Sequence, residues 1–598
     1  MDEYIEKDKV RKMKDSVIIK RLLKYTKPFV WKFVLVLVLM LFVVVMDVLT
    51  PLLLGEVLER LGDDVINIGN IIIMIIGYVI LLLLAYGGGY FQAIMLQKIG
   101  QSILYDIRSE VFTHIEHLSI AQINKTPVGK LVTRVTNDTN TLSEMFTNSI
   151  VNLIRNFATL LFVLIAMFMK DWKLTLYVLA VVPFIIVFTI IFKTMTRKAY
   201  REVRTDISNM NAFLSENLSG MKITQMFNQE KKQYNEFKNR NERLRKSSLK
   251  QTITFGIFRH SMYLLYVIAI FIVDYFGSLE VMNNPMVLFS LVYVFYQYVS
   301  KLFNPIQQLA DQFNTIQSAF ASSERIFEIL DTESEIQDSE DAVEIDEFKG
   351  KIEFKNVWFA YEEENWILKD VSFVINPKET VAFVGATGAG KTTILSLIVR
   401  NYDIQKGQIL IDDMDIKNIK LSSLRKNIGQ MLQDVFLFSG TIKSNIQMRE
   451  DSITDEDIYN ACEYVNANHF IEKLDHKYEE EVRERGNNFS SGQRQLLSFA
   501  RTIVHKPQIM ILDEATANID TETEVLIQES LEKMRNIGTM LIVAHRLSTI
   551  QHSDKIVVLK HGEIQEIGNH QELLKKKGQY YELYKIQYEK KAGNSQEF

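Results

Sequence analysis

The sequence predicts an α-helical membrane half of six spans followed by a soluble α/β half. Three observations carry this reading. Long apolar runs dominate up to about residue 320, and beyond it charged and apolar residues mix. The later part holds short apolar runs bounded by turn residues, which is the pattern of buried strands. One of these, Thr380 to Val384, leads straight into a glycine-rich loop and then a helix.

At 598 residues the chain exceeds one domain, and its 47% hydrophobic content looks globular only because two unlike halves are averaged. The net charge of -5 and the pI near 6.1 lack the basic footprint of a nucleic-acid binder, so no nucleic-acid partner is expected. Cys462 is the single cysteine, which excludes an internal disulfide and a thiolate metal cluster.

Residues 1–28 read as a basic cytosolic segment, with Lys20, Arg21, Lys24 and Lys27 close to the first apolar run. No short apolar core with a small-residue cleavage site follows, so the segment is not expected to be a cleaved leader. A membrane domain is expected over 29–330, with spans near 29–54, 70–96, 145–169, 173–194, 254–277 and 286–304. The positive-inside rule keeps the N-terminus in the cytosol, and an even number of spans returns the chain there. Two long polar connections, 97–144 and 193–253, have helical periodicity and should carry the helices into the cytosol. Pro127, Gly129 and Gly220 would break each hairpin at its tip, where a short helix could dock on a cytosolic partner. Asp47 lies inside the first span, where a carboxylate costs roughly 2.5 to 3.5 kcal/mol unless it faces protein or water. It is the substrate-cavity candidate, with a leaning toward cations, against the alternative of a hydrogen-bonded structural aspartate. Arg155 falls toward a cytosolic end and should snorkel or pair.

An acidic stretch, 331–347, reads as a solvated linker, after which 348–585 forms the α/β domain and 586–598 a tail. Strands are expected over 351–361, 371–375 and 380–384. Behind the last stands Gly385-Ala386-Thr387-Gly388-Ala389-Gly390-Lys391-Thr392, followed by Thr393 and a helix. This is a P-loop: its glycine backbones approach closely, their N–H groups cradle phosphates, and the helix N-terminus adds a favourable field. Lys391 would reach the β and γ phosphates of ATP, and Thr392 would hold Mg²⁺. A second buried strand, Gln508 to Leu512, ends in Asp513-Glu514; Asp513 can hold the Mg²⁺ shell and Glu514 can polarise an attacking water. Tyr361 could offer an aromatic face to adenine, although a core tyrosine is the plainer account.

Shortly before that strand stands Phe489-Ser490-Ser491-Gly492-Gln493. With this block the chain resembles, over nearly its whole length, ATP-binding cassette exporters of the multidrug half-transporter kind, whose signature is usually LSGGQ. The resemblance implies that Tyr361 stacks on adenine, that Gln433 senses Mg²⁺ and the γ-phosphate, that Asp520 belongs to the D-loop, and that His545 is the switch histidine. It also implies that 481–486 contacts the short helices of the polar hairpins. Two half-transporters pair head to tail in this family, so Phe489 to Gln493 would face ATP held by the other chain.

The signature departs from the family at two positions: Phe489 replaces leucine and Ser491 replaces the first glycine. A Cβ and hydroxyl at Ser491 would loosen the contact made in trans. With Glu514, Gln433 and His545 intact, the pattern resembles the catalytic-glutamate partner of bacterial heterodimeric multidrug exporters. The expectation is therefore ATP- and Mg²⁺-dependent export of amphipathic small molecules from a bacterial inner membrane, with a partner that has LSGGQ and lacks the glutamate. A homodimer that tolerates Ser491 is the alternative assembly. A lipid or lipid-linked-precursor flippase is the alternative cargo class, and a nucleotide-gated membrane regulator that does not pump is the alternative of another kind.

Overall fold

Hydrocarbon offers no water to satisfy backbone N–H and C=O groups, so a chain of long apolar runs must coil them into helices. The computed structural model, which describes residues 13–61, 67–280, 285–362, 364–448, 450–513, 521–543 and 550–594, bears this out. Among the described residues five helices are long and apolar enough to cross a membrane: Asp15–Arg60, Ile68–Glu116, Val128–Lys170, Trp172–Ser219 and Glu230–Leu279. The sixth expected span, 286–304, lies within the helix Pro285–Leu330.

The helices run well past their apolar stretches, as the polar periodicity predicted. Proline and glycine punctuate them. Pro183 lacks an N–H and crowds the preceding turn, and the helix restarts at Val182 after a break at Ala180 and Val181. Pro51 sits inside Val30–Arg60, and three residues before it the carbonyl of Val48 accepts the buried Tyr298 hydroxyl at 2.8 Å. At Gly100 an added Cβ would lie 1.9 Å from Thr147 Cγ2, so only glycine allows helix Ile68–Glu116 to approach this closely. The hairpin tips hold six-residue helices, Ile120–Lys125 and Met221–Met226. A capping box formed by Ser119 and Gln122 starts the first of them.

The helical stretch from Val128 to Lys170 contains two π-helical turns, Arg134–Asp138 and Met145–Ser149. Asp138, at the end of the first, has a side chain only 5% exposed and collects three donors. Arg134 reaches it at 2.8 Å, Ser322 at 2.9 Å, and Arg325 grips both its oxygens. Ser322 and Arg325 belong to Pro285–Leu330, so this carboxylate ties two helices far apart in sequence.

The chain divides into two compact units, and the second comprises His117–Pro127 with Glu333–Phe598. Its strands are β1 (Ile352–Ala360), β2 (Trp366–Ile375), β3 (Thr380–Val384), β4 (Lys406–Ile411), β5 (Met414–Asp415), β6 (Ile428–Met431), β7 (Gly440–Thr441), β8 (Glu481–Val482), β9 (Ile509–Asp513), β10 (Thr539–Val543), β11 (Lys555–Lys560) and β12 (Glu563–Gly568). A six-stranded sheet has the order β12-β11-β3-β10-β9-β6, with only the β11–β12 pair antiparallel. A four-stranded antiparallel sheet has the order β2-β1-β4-β5. The parallel strands are buried on both faces: Val381, Phe383, Ile511 and Leu541 join one core, and Ala382, Met510, Leu512 and Ile542 the other.

The elements differ from expectation in three places. β2 begins at Trp366 rather than near 371, because bulges opposite β1 break the alternation that sequence reading relies on. Asn356 and Asp370 both take positive φ at these bulges and hydrogen-bond each other at 2.8 Å. The segment 331–347, expected as a solvated linker, keeps most side chains exposed but docks its backbone: Val343 N–H donates to Asn418 O, and Ile345 N–H donates to Ser423 Oγ at 2.8 Å. Part of the expected tail, 586–598, is helical within Gln579–Asn594.

Replacing Asp138 with alanine leaves two guanidinium groups facing a lost carboxylate. Allowing for the partial exposure of Arg325, the cost should be about 2 kcal/mol. The expected outcome is a clearly lower thermal unfolding midpoint of the detergent-solubilised protein for Asp138→Ala, with a smaller drop for Ser322→Ala. Equal midpoints for Asp138→Ala and the parent would show that the carboxylate contributes nothing to holding the helices.

Candidate functional site

Parallel pairing decides where loops gather. β10 pairs with β3 and β9, with Val543 opposite both Phe383 and Asp513, so the C-terminal ends of these strands share one sheet edge. β6 pairs with β9 up to Met431 opposite Leu512, so the chain leaves for Gln433 at that same edge. Open parallel sheets bind ligands in this place.

The loop after β3 is built for close approach. Gly388 and Gly390 have φ of +81° and +101°, and a Cβ on Gly390 would lie 2.6 Å from Leu368 Cδ2. Gly390 caps the helix Lys391–Ile398. Lys391 folds back over the loop, donating from Nζ to Gly385 O at 2.9 Å and Ala386 O at 3.0 Å, and is 6% exposed. Burial lowers its pKa, and the charge of Asp513 opposes that shift. Phosphate beside this cluster would add a charge partner that favours the ammonium form of Lys391. Ala386, Thr387 and Thr392 are exposed along the loop, while Ala389 and Thr393 are buried.

Tyr361 follows β1 directly and is joined to this loop's helix: its hydroxyl lies 3.1 Å from Thr393 Oγ1. The ring meets Phe359 and Tyr402 edge-on, at 4.9 and 5.0 Å between centroids, and stays 45% exposed. That leaves apolar surface beside the loop, and burial of the hydroxyl raises its pKa.

Asp513 ends β9 and Gln433 is exposed beyond β6. Glu514, Asp520 and His545 lie outside the described residues.

The segment Phe489 to Gln493 opens the amphipathic helix Ser491–Val504. Ser490 caps it in a reciprocal box: Gln493 N–H donates to Ser490 Oγ at 3.2 Å, and Ser490 N–H to Gln493 Oε1 at 2.9 Å. Phe489 is buried in the core and Gly492 in the helix's first turn, so the substituted aromatic serves as an anchor. Ser490 remains exposed at the helix N-terminus, and Ser491 is half-buried.

Two positioning residues escaped the sequence reading. Arg501, one face of that helix away, donates to Phe436 O at 3.0 Å and Asn445 O at 2.8 Å. Asn445 in turn bonds both backbone groups of Phe438, so the stretch following Gln433 is held by a side chain from the helix behind the signature. An arginine set between the buried Ala500 and Thr502 of an amphipathic helix was the available signal. Tyr402 is the second: its hydroxyl accepts from Asn124 at 3.3 Å, on the six-residue helix Ile120–Lys125. Gln122 and Lys125 of the same helix bind Glu333 O and Glu335. The stretch 481–486 leaves Glu484 and Arg485 exposed, with Arg485 in left-handed conformation at φ 57°.

In the membrane unit Asp47 lies 3.7 Å from Arg155, with side chains 43% and 42% exposed. The guanidinium offsets the carboxylate, which weakens the expected leaning toward cations. An apolar cleft of about 310 Å³ lies between the same two helices, lined by Val48, Leu52, Phe162, Ala166 and Met169 among others, and Asp47 is not in its wall.

Residues 33–306 match the family model described as ABC transporter transmembrane region, and residues 368–517 match the model described as ABC transporter. A Streptococcus pneumoniae protein, exp8, whose name places it with ABC transporter ATP-binding proteins, is 38% identical over 96% of this chain and 98% of its own length. An ATP-dependent lipid A-core flippase of Syntrophus aciditrophicus is 35% identical over 96% of both chains. The multidrug resistance-like ATP-binding protein MdlB of Buchnera aphidicola is 34% identical over 95% of this chain and 98% of its own. With a helical membrane unit, a P-loop sheet and relatives matched end to end, the chain belongs to the ABC transporter family, as a multi-pass membrane half-transporter of bacterial exporter type that couples ATP hydrolysis to transport.

Proposed function

We propose that this chain is the hydrolytic half of a heterodimeric exporter of amphipathic small molecules. The observation that supports it most is the asymmetry of its motifs: a complete P-loop with Glu514, Gln433 and His545, beside a signature that reads Phe489-Ser490-Ser491-Gly492-Gln493. In this reading the P-loop and Glu514 serve the competent ATP site, with a partner's LSGGQ completing it. Ser491 then faces a second site in which the partner lacks the glutamate.

The roles follow from the chemistry of the residues. Lys391 holds the phosphates, Tyr361 packs on adenine, Glu514 orients and activates the attacking water, and His545 contacts the γ-phosphate. Thr392, Gln433 and Asp513 offer the hard oxygen donors that Mg²⁺ takes alongside water and phosphate, so the residues fit that ion. Bound Mg²⁺ would neutralise charge on the phosphates. Binding and hydrolysis of ATP bias the membrane helices between inward- and outward-facing states, which needs no chemistry on the cargo.

A flippase reading draws on the relatives named as lipid A-core flippases, two of which match over most of this chain. The pairing of Asp47 with Arg155 also suits a head group carrying both charges better than a simple cation. Reconstitution with fluorescent phospholipid and with amphipathic dyes separates the cargo classes.

The deciding experiment compares Mg²⁺-dependent ATPase activity of this chain alone and with its genomic neighbour, in lipid nanodiscs. Turnover is expected only for the pair, and Glu514→Gln should lower it about 100-fold or more. Ser491→Gly should change the pair's turnover less than about twofold, because its site would not hydrolyse. Robust activity of the chain alone, raised further by Ser491→Gly, would establish a homodimer instead.

Nucleotide affinity gives an independent check. Losing an aromatic face beneath adenine should weaken ATP binding about tenfold in Tyr361→Ala, while Tyr361→Phe stays close to the parent. Gly390→Ala should bind ATP far more weakly than either, since it strains a φ of +101° and displaces Leu368. Equal affinity for Tyr361→Ala and the parent would remove Tyr361 from the site.

A further inference from the structure

The apolar cleft between helices Val30–Arg60 and Ile150–Lys170 has a definite depth in the membrane. Lys170 ends one helix and Trp172 starts the next, Trp172–Leu179, so a single residue turns the chain between two apolar runs. Carbonyls freed at such a turn need water, which sets Asp171 at the boundary of the bilayer. Trp172, 59% exposed, suits that level as an interfacial side chain. The neighbouring helix ends there too: Glu59, one residue before its end, lies 3.7 Å from Lys170, and Glu56 holds Arg60 at 3.0 Å.

Beneath this ionic layer the cleft runs along residues 162–170 of one helix and 45–52 of the other. At about 1.5 Å per residue that is roughly 10 to 12 Å, within the roughly 15 Å of hydrocarbon in one leaflet. Val48 and Ala166, 6% and 7% exposed, form its floor, while Leu49, Ile165 and Met169 are exposed at its rim. These side chains offer no hydrogen bond, so water gains nothing by entering. A volume of about 310 Å³ is at the small end for ligand sites and suits one slim chain rather than a ring system. Among the described residues that line the cleft, Lys170 alone is charged. Its approach to Glu59 is longer than a hydrogen bond, which leaves the ammonium able to take a second anion.

We propose that this cleft binds one acyl chain of an anionic phospholipid from the leaflet that meets Asp171, with the lipid phosphate on Lys170. The occupant is lipid rather than cargo or a second protein chain because the depth matches one leaflet, the walls match hydrocarbon and the one charge is complementary to phosphate. The bound chain fills the gap between the first and third spans. The inference goes beyond the export reading and needs neither the cargo nor the partner to be known.

The test uses the full-length chain in phosphatidylcholine nanodiscs. They are doped with phosphatidylglycerol carrying a photoreactive diazirine on one acyl chain, or with the phosphatidylcholine analogue of the same chains. Peptide mapping should place the crosslink on residues 45–52 and 162–170, about fivefold stronger for phosphatidylglycerol, and unlabelled phosphatidylglycerol should compete with it. Ile165→Trp at the rim and Ala166→Phe at the floor should each remove the crosslink by filling the cleft. The first alters an exposed side chain, so it reads the site independently of any packing disturbance in the second. Lys170→Gln should keep the crosslink and lose the preference. Crosslinks spread evenly over the exposed apolar faces, or unchanged in both filled variants, would overturn the site. A preference that persists in Lys170→Gln would overturn the head-group contact. Displacement by an amphipathic dye but not by unlabelled phosphatidylglycerol would give the cleft to cargo and overturn the lipid assignment.

Discussion

Parallel pairing of β3, β10 and β9 is the constraint on which the ATP-binding unit depends. It brings the end of one strand, with the P-loop, to the same sheet edge as the end of another, with Asp513, one strand apart although about 130 residues separate them in sequence. Parallel strands cannot be joined by tight hairpins, so each crossover must return over a face of the sheet. Here the returning helices bury Ile394 and Leu397 on one face and Leu496 and Phe499 on the other. Burial on both faces in turn explains why these strands read as unbroken apolar runs.

That edge carries a local cost. Lys391 is buried and donates to the carbonyls of Gly385 and Ala386, and burial lowers its pKa against the opposing charge of Asp513. Behind it, Arg501 and Asn445 pin the stretch after Gln433 to the helix that begins with the signature.

The membrane unit obeys a different rule. Its helices are obligatory, and besides their apolar clusters they are joined by contacts between residues far apart in sequence: the Asp138 cluster, the Tyr298 bond to the carbonyl of Val48, and the close approach at Gly100. Between the spans themselves, where hydrophobicity cannot discriminate lipid from protein, the Tyr298 bond to Val48 is a satisfied polar contact of this kind. The two π-helical turns lie beside Asp138 and Thr147, where such contacts displace the backbone from regular geometry.

The sequence by itself determined the two-part architecture, the P-loop and the signature, because apolar run length, strand-loop-helix order and contiguous motifs are local properties. It located β3 to the residue and missed the first part of β2, whose bulged pairing depends on the partner strand. Only the tertiary structure decided that Tyr361 is bonded to Thr393, that Phe489 is a core anchor, and that Arg501 supports the stretch after Gln433. It also gave Asp47 a partner in Arg155, from a helix more than 100 residues away. A charge in a span announces itself in the sequence, but its balance depends on packing between helices, which no local pattern encodes.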